Sequence, residues 1–385
     1  MKVLFISQWY PNCYDPMAGL FVQKHAEAVS LFADVALIYV HPDEKLSKLE
    51  IQVTSENGFK EIRVYYPAVG KSFISRSLRQ FQYLKAYKSG FEFLLKTWGK
   101  PDIIQANVFT RTAIIALIIK LIYKIPYLVI EHWTRYFREK TFRNICHKKF
   151  SICAAKFASA VMPVTYHLKT NMERHGMINT NYQVINNVVD DIYFEKLVIP
   201  DSKKIRILNV TCFDDAQKNL SGLLNVIHSL SERRKDFEIY LVGDGVDFEK
   251  IKALSISLNL YNSVVFFTGM LTGKTLVEMY QHSNFTVLFS NYENIPVVIS
   301  ESLVCGLPVV TTNVGGISEH IDLSNGLLLE AKDEKALFTA LDYMLDHYKE
   351  YNSVEIKQKA EQKYSYHSVG KKLFSIYSTV LKNDQ

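Results

Sequence analysis

Two glutamates eight positions apart, Glu293 and Glu301 in Asn291-Tyr-Glu-Asn-Ile-Pro-Val-Val-Ile-Ser-Glu, have the spacing that most directly offers chemistry. A strand pattern ends near Ser290, Asn294 is placed to cap a helix with Pro296 in its first turn, Gly306 stops that helix and Pro308 opens the next strand. This places Glu293 in the loop at the helix N-terminus and Glu301 two turns inside, up to about 12 Å away at the helical rise. The N-terminus between them is where an anion such as a diphosphate is stabilised. The span suits a hexose at one end and the ribose of a nucleotide diphosphate sugar at the other. Two glutamates alone would more simply be solvated, because exposed glutamate is common.

The elements that must position this pair alternate along the whole chain. Strand candidates at Val3–Ser7, Val35–Val40, Ile62–Tyr66, Ile103–Ala106, Tyr127–Ile130 and Ala160–Val164 are separated by helical patterns such as Phe21–Leu31, Ser75–Lys96, Thr110–Tyr123 and Phe142–Phe157. A second series starts at Ile205-Arg-Ile-Leu-Asn-Val and continues through Phe237–Val242, Val264–Phe267, Phe285–Phe289 and Pro308–Thr311. Continuous apolar strands alternating with helices predict parallel sheets covered on both faces. A chain of 385 residues exceeds what one core usually supports. The expected architecture is α/β, with two doubly wound, Rossmann-like domains facing a cleft. One spans 1–195 and the other 205–365, with a linker at Glu195–Lys204 and a final helix in 366–385 that packs back towards the first domain. Ligands of such sheets bind beyond the carboxyl ends of the strands.

After the second glutamate the chain reads Cys305-Gly-Leu-Pro-Val-Val-Thr-Thr-Asn-Val-Gly-Gly-Ile-Ser-Glu. Together with Glu-x7-Glu, this resembles the signature of the group 1 (family 4) retaining glycosyltransferases. The resemblance implies a metal-independent GT-B enzyme in which Glu293 contacts the donor sugar and Glu301 the ribose. It also implies that Lys218, in Asp214-Asp-Ala-Gln-Lys-Asn, clamps the donor diphosphate, and that Gly243, in Val242-Gly-Asp-Gly, lines the base. Gly19 would bring its backbone to the donor phosphate, and His132, in Val129-Ile-Glu-His-Trp, would face the transferred sugar. Asn294, Ile295, Gly315 and Gly316 complete the implied donor site, with His132 and Glu293 as the catalytic pair. Asn187-Val-Val-Asp, with Phe194 beyond, is similar to the family's Asn-Gly-Val-Asp element at the domain junction. Two departures stand out: Thr211-Cys212 replaces the usual Gly-Arg, and Glu293-Asn-Ile-Pro replaces Glu-Gly-Phe-Gly.

The implied reaction moves a sugar to a glycan or polyprenyl-diphosphate-linked acceptor in cell-surface polysaccharide synthesis. A sugar-nucleotide epimerase of the same fold, or a non-catalytic partner that binds the same ligand, is the alternative. No cofactor and no metal are expected beyond the nucleotide-sugar substrate, and the chain contains no Asp-x-Asp. Five scattered cysteines without a C-x-x-C pair point to a reducing, cytoplasmic setting. The net charge of +6 is uneven, for Lys71–Lys96 and Arg135–Lys149 each hold six Lys/Arg against one Glu. Those basic, aromatic stretches suit contact with an anionic membrane at its inner face. Nucleic acid is not expected, since no recognition motif accompanies the charge. The longest apolar run, Ala113–Ile119, is too short to span a bilayer.

Overall fold

In the computed structural model, which describes residues 1–68, 73–109, 111–137, 142, 145–195 and 203–383, the apolar runs pair into two separate sheets. The first unit comprises Met1–Val188 and Tyr366–Gln385, the second Val189–Ser365. Of the expected linker, residues 196–202 lie outside the described residues, as do Lys71, Arg138, Lys140 and Arg143 of the basic stretches.

The first unit runs β1 (Lys2–Ser7), α1 (Leu20–Ser30), β2 (Asp34–Asp43), β3 (Glu50–Thr54), β4 (Lys60–Pro67), α2 (Phe73–Thr97), β5 (Ile103–Asn107), α3 (Thr112–Tyr123), β6 (Tyr127–Glu131), α4 (Ile145–Phe157), β7 (Ala160–Pro163) and α5 (Tyr166–Arg174). Its seven strands lie in the order β3-β4-β2-β1-β5-β6-β7. All pairs are parallel except β3 with β4. The centre is buried on both faces: Val3, Leu4, Phe5 and Ile6 are fully enclosed. That is why these strands read as unbroken apolar runs. Successive side chains point to opposite faces. One face, with Val3, Phe5 and Leu37, packs against α1. On the other face Gly90 of α2 lies so close to Val64 and Ile38 that a Cβ there would stand 2.9 Å from the Val64 Cγ2.

The second unit runs β8 (Ile205–Val210), α6 (Asp215–Lys218), α7 (Leu220–Arg233), β9 (Phe237–Val242), α8 (Phe248–Ser257), β10 (Val265–Gly269), α9 (Gly273–Gln281), β11 (Phe285–Leu288), α10 (Val297–Val304), β12 (Val309–Thr312), β13 (Gly326–Leu329), α11 (Glu334–His347) and α12 (Ser353–Tyr364). The strands are all parallel, in the order β10-β9-β8-β11-β12-β13. The chain fills the sheet outward from β8 in one direction, then returns to β11 and fills it in the other. The loops after β8 and β11 therefore flank the switch point, where such sheets hold ligands.

The chain ends in α13 (Tyr366–Asn383), which packs on α1 within the first unit. Gly370 makes the close approach: a Cβ there would sit 2.1 Å from the Ala28 carbonyl oxygen. Tyr366 Oη donates to Glu27 at 2.9 Å, and Tyr377 reaches Gln105 at the heart of the sheet.

Two strands fall outside the expected set. β3 alternates Ile51 and Val53 with polar residues and is a strand because β4 offers it a free edge. β13, Gly326–Leu329, opens on a glycine, which weakens a strand pattern in sequence.

Candidate functional site

In the second unit the loop after β8 carries Asp214, whose carboxylate accepts from the Gln217 amide and caps the short helix α6. Lys218 is the last residue of that helix. The loop after β11 is stitched to it: Asn291 N donates to the Gln217 carbonyl at 2.7 Å and Asn291 Nδ2 to the Ala216 carbonyl at 3.0 Å. The two loops set Lys218 against Glu293 as an ion pair, with side chains only 11% and 6% exposed. Ser290 Oγ donates to the same carboxylate at 3.0 Å and Gln217 Nε2 at 3.4 Å.

Asn294 and Ile295 follow directly, and the Gly315-Gly316 turn braces them. Gly316 N donates to the Asn294 carbonyl at 2.8 Å. Gly315 has φ +61°, and a Cβ there would stand 2.0 Å from the Glu293 carbonyl oxygen. Gly243 answers a similar demand, because a Cβ at this position, with φ +139°, would stand 1.8 Å from the Thr211 carbonyl oxygen. Both glycines hold site loops against backbone.

The helix that carries Glu301 starts later than expected. Pro296, not Asn294, occupies the cap position, and α10 begins at Val297. Glu301 is therefore the fifth helical residue, little more than one turn inside. Proline fixes φ and bars a helical conformation for the residue before it, which moves the start past Asn294 and Ile295. Glu301 accepts from Tyr280 Oη at 2.9 Å, and Tyr193 also hydrogen-bonds to it. Burial, then the Glu301 charge, pushes both phenols upward, so they remain donors. Tyr193, Tyr280, Ser290 and Gln217 carry no motif that would single them out in the sequence.

In the first unit Gly19 caps α1 with φ +65°, where a Cβ would stand 2.2 Å from the Trp9 carbonyl oxygen. His132 follows β6 with its ring 4.0 Å from Phe21 and 5.5 Å from His25, centroid to centroid. Burial, then the neighbouring His25, holds His132 well below the usual imidazole range, against a hydrogen bond with the Asn187 side chain. His132 is thus a neutral imidazole at neutral pH. Trp9 and Trp133 meet edge to face at 5.1 Å, and the Arg135 guanidinium lies 4.3 Å over Trp133. These aromatics cluster just beyond the carboxyl ends of β1 and β6.

Glu131, beside His132, is fully buried and was not among the expected site residues. Its carboxylate accepts from the amides of Phe109 at 3.0 Å and of His132 and Trp133 at 2.9 Å. These bonds help hold Val108 in the left-handed region at φ +72°, an uncommon state for a β-branched residue. Burial pushes the Glu131 carboxyl from 4.5 up to about 7, against the three amides and Arg135. A carboxyl raised in the folded state stabilises fully below its unfolded value, and that contribution disappears as pH rises through the folded value. Unfolding free energy should fall by on the order of 3 kcal/mol across that window, and Glu131→Gln should flatten the slope. Urea melts at several pH values check this; parallel profiles for the two proteins would contradict it.

Among the described residues no group of three or more His, Cys, Asp or Glu is placed to hold a metal ion. With this geometry in place, the comparison with known proteins is specific. Residues 190–362 match the family model described as "Glycosyl transferases group 1". Over that segment, which is less than half of the chain, the protein is similar to the group 1 glycosyltransferases. The matched segment contains the Lys218–Glu293 pair, both glycine turns and Glu301.

The chain is 28% identical over 191 residues to N-acetyl-alpha-D-glucosaminyl L-malate synthase of Bacillus anthracis, an alignment covering 46% of this chain and 47% of that protein. The chain thus spans about half the length of that relative. It is 22% identical over 360 residues to the putative teichuronic acid biosynthesis glycosyltransferase TuaC of Bacillus subtilis, covering 89% and 88%. Among solved structures, Anabaena Alr3699/HepE in complex with UDP aligns with a TM-score of 0.75 at 17% identity, covering 98% of this chain and all of that one. The expected fold class, α/β with two parallel-sheet units of the GT-B type, is met, and glycosyltransferase is the class the matched segment supports.

Proposed function

We propose that the protein transfers a hexose from a nucleotide diphosphate sugar to a glycan or lipid-linked acceptor, retaining the anomeric configuration and using no divalent metal. The observation that carries this reading is the buried Lys218–Glu293 pair at the switch point of the second sheet. Such a pair supplies a cation for a diphosphate and a carboxylate for sugar hydroxyls side by side. Glu301, held by Tyr280, is the ribose contact in this reading, and the start of α10 faces the diphosphate. A UDP complex of a similar fold and relatives named for teichuronic acid and lipopolysaccharide synthesis are in keeping with a nucleotide-sugar donor and a cell-surface product.

In the transfer step the acceptor oxygen attacks the anomeric carbon from the face the diphosphate leaves. The bond from that carbon to the phosphate oxygen breaks, and the departing diphosphate takes the acceptor proton. Lys218 stabilises the charge that develops on the leaving group, and Glu293 orients the sugar.

A thermal-shift panel of nucleotide diphosphate sugars, run with and without EDTA, tests the donor assignment. A donor at about 100 times its Kd adds ~2.7 kcal/mol, which for a unit of this size raises Tm by roughly 5–10 °C. The shift should survive EDTA. If no sugar nucleotide moves the melting temperature, the donor assignment fails.

A further inference from the structure

The helices α2, α3 and α4 lie on the face of the first sheet opposite α1 and α13. Each joins parallel strands by a crossover in the same direction along the sheet, and right-handed crossovers then place all three on one side. Their outer surface exposes several large apolar side chains. On α3, Ile118, Leu121 and Ile122 are 40%, 64% and 66% exposed. Leu78, Phe81 and Leu84 on α2, and Ile145, Phe150 and Phe157 on α4, are also exposed. Between α2 and α3 runs an apolar groove lined by Leu84, Phe91, Ile115, Ile118 and Ile122, with Lys88 and Glu92 among its lining residues. A scattered exposed leucine needs no explanation, but exposed apolar side chains gathered along one groove mark an interaction surface.

Charge decides the partner. The three helices carry nine Lys/Arg against one Glu, a net charge of +8 in a chain whose total is only +6. Lys85, Lys88, Lys149 and Lys156 are exposed around these apolar side chains. A protein partner would have to match both an acidic rim and an apolar centre, whereas an anionic bilayer presents both everywhere. Among the described residues no helix is long and apolar enough to cross a membrane. We propose that the α2–α3–α4 face docks on an anionic lipid surface, with Ile118, Leu121 and Ile122 inserted below the headgroups and the surrounding lysines among them. This extends the proposed function by assigning the surface that brings the enzyme to a lipid-linked acceptor, and it rests on that reading only for its purpose.

Vesicle flotation of the full chain tests it, with neutral phosphatidylcholine vesicles set against vesicles containing phosphatidylglycerol at low salt. Flotation should require the anionic lipid. The triple variant Ile118→Asp/Leu121→Asp/Ile122→Asp and the variant Lys85→Glu/Lys88→Glu/Lys149→Glu should each lower the bound fraction at least about tenfold. Both change exposed side chains, and an unchanged melting curve with an unchanged sugar-nucleotide shift shows that fold and donor site are intact. Absence of flotation, or flotation that ignores the triple variant, overturns the proposal. So does a concentration-dependent dimer in sedimentation that the triple variant abolishes, since a second copy would then be the occupant. A protein that binds donor but not vesicles disproves this surface alone.

Discussion

A Lys218→Met protein is expected to turn over about 10²- to 10³-fold more slowly than wild type, the usual consequence of removing one group that stabilises charge in the transition state. Methionine keeps much of the stem and removes only the ammonium. In the free protein that ammonium faces the Glu293 carboxylate, which is 6% exposed and has Ser290 and Gln217 as its other donors. The substitution therefore also leaves a buried carboxylate without its counter-charge, at a cost of about 1–3 kcal/mol. The two effects separate in a double-mutant cycle. Lys218→Met/Glu293→Gln should regain most of the lost stability and none of the turnover. Steady-state kinetics and urea melts on the four proteins decide it. Turnover within about threefold of wild type for Lys218→Met would remove the lysine from the chemistry.

A large stability effect is expected at Gly315→Ala. The new Cβ would meet the Glu293 carbonyl oxygen at 2.0 Å, the Glu293 carbonyl carbon at 2.8 Å and the Asn294 carbonyl oxygen at 2.9 Å, all backbone. Backbone cannot swing aside as a side-chain tip can, so the Glu293 loop must move. Gly273 provides the control: its φ is +58°, yet nothing lies within 4 Å of its Cβ position. Gly273→Ala should thus cost only the left-handed strain, about 1–2 kcal/mol. Gly315→Ala should exceed it by at least ~2 kcal/mol and should also depress turnover, because Glu293 moves with the loop. Equal melting points for the two variants would show that the Gly315 contact is relaxed without consequence.

Much of the fold was legible because a parallel strand buried on both faces is an unbroken apolar run, as in Tyr127–Ile130 and Val3–Ile6. The edges were not. β3 mixes Glu50, Gln52 and Thr54 with two apolar residues, and its strand character comes from the β4 partner rather than from its own composition. The start of α10 departs from the expectation because Asn294 is a good cap by type, while the conformational restriction imposed by Pro296 outweighs that preference. Glu131 is inconspicuous in the sequence for a related reason. A glutamate at a strand end is ordinary in sequence, and only its three amide donors and full burial set it apart.

The chain by itself determined which local devices exist: a carboxylate after a strand, another in the following helix, glycines where backbone must approach backbone, and strands that can only be interior. These follow from short-range periodicity and from the conformations that glycine and proline permit. Tertiary structure alone decided which of these devices meet. Lys218 and Glu293 stand 75 positions apart and become partners because β8 and β11 pair as neighbours at the switch point of the sheet. Glu301 acquires Tyr280 and Tyr193 from two other elements in the same way. No local pattern encodes strand order, since any apolar strand can hydrogen-bond to any other. The order is selected only when helices, loops and both sheet faces are packed at once, and the buried ion pair is a product of that choice.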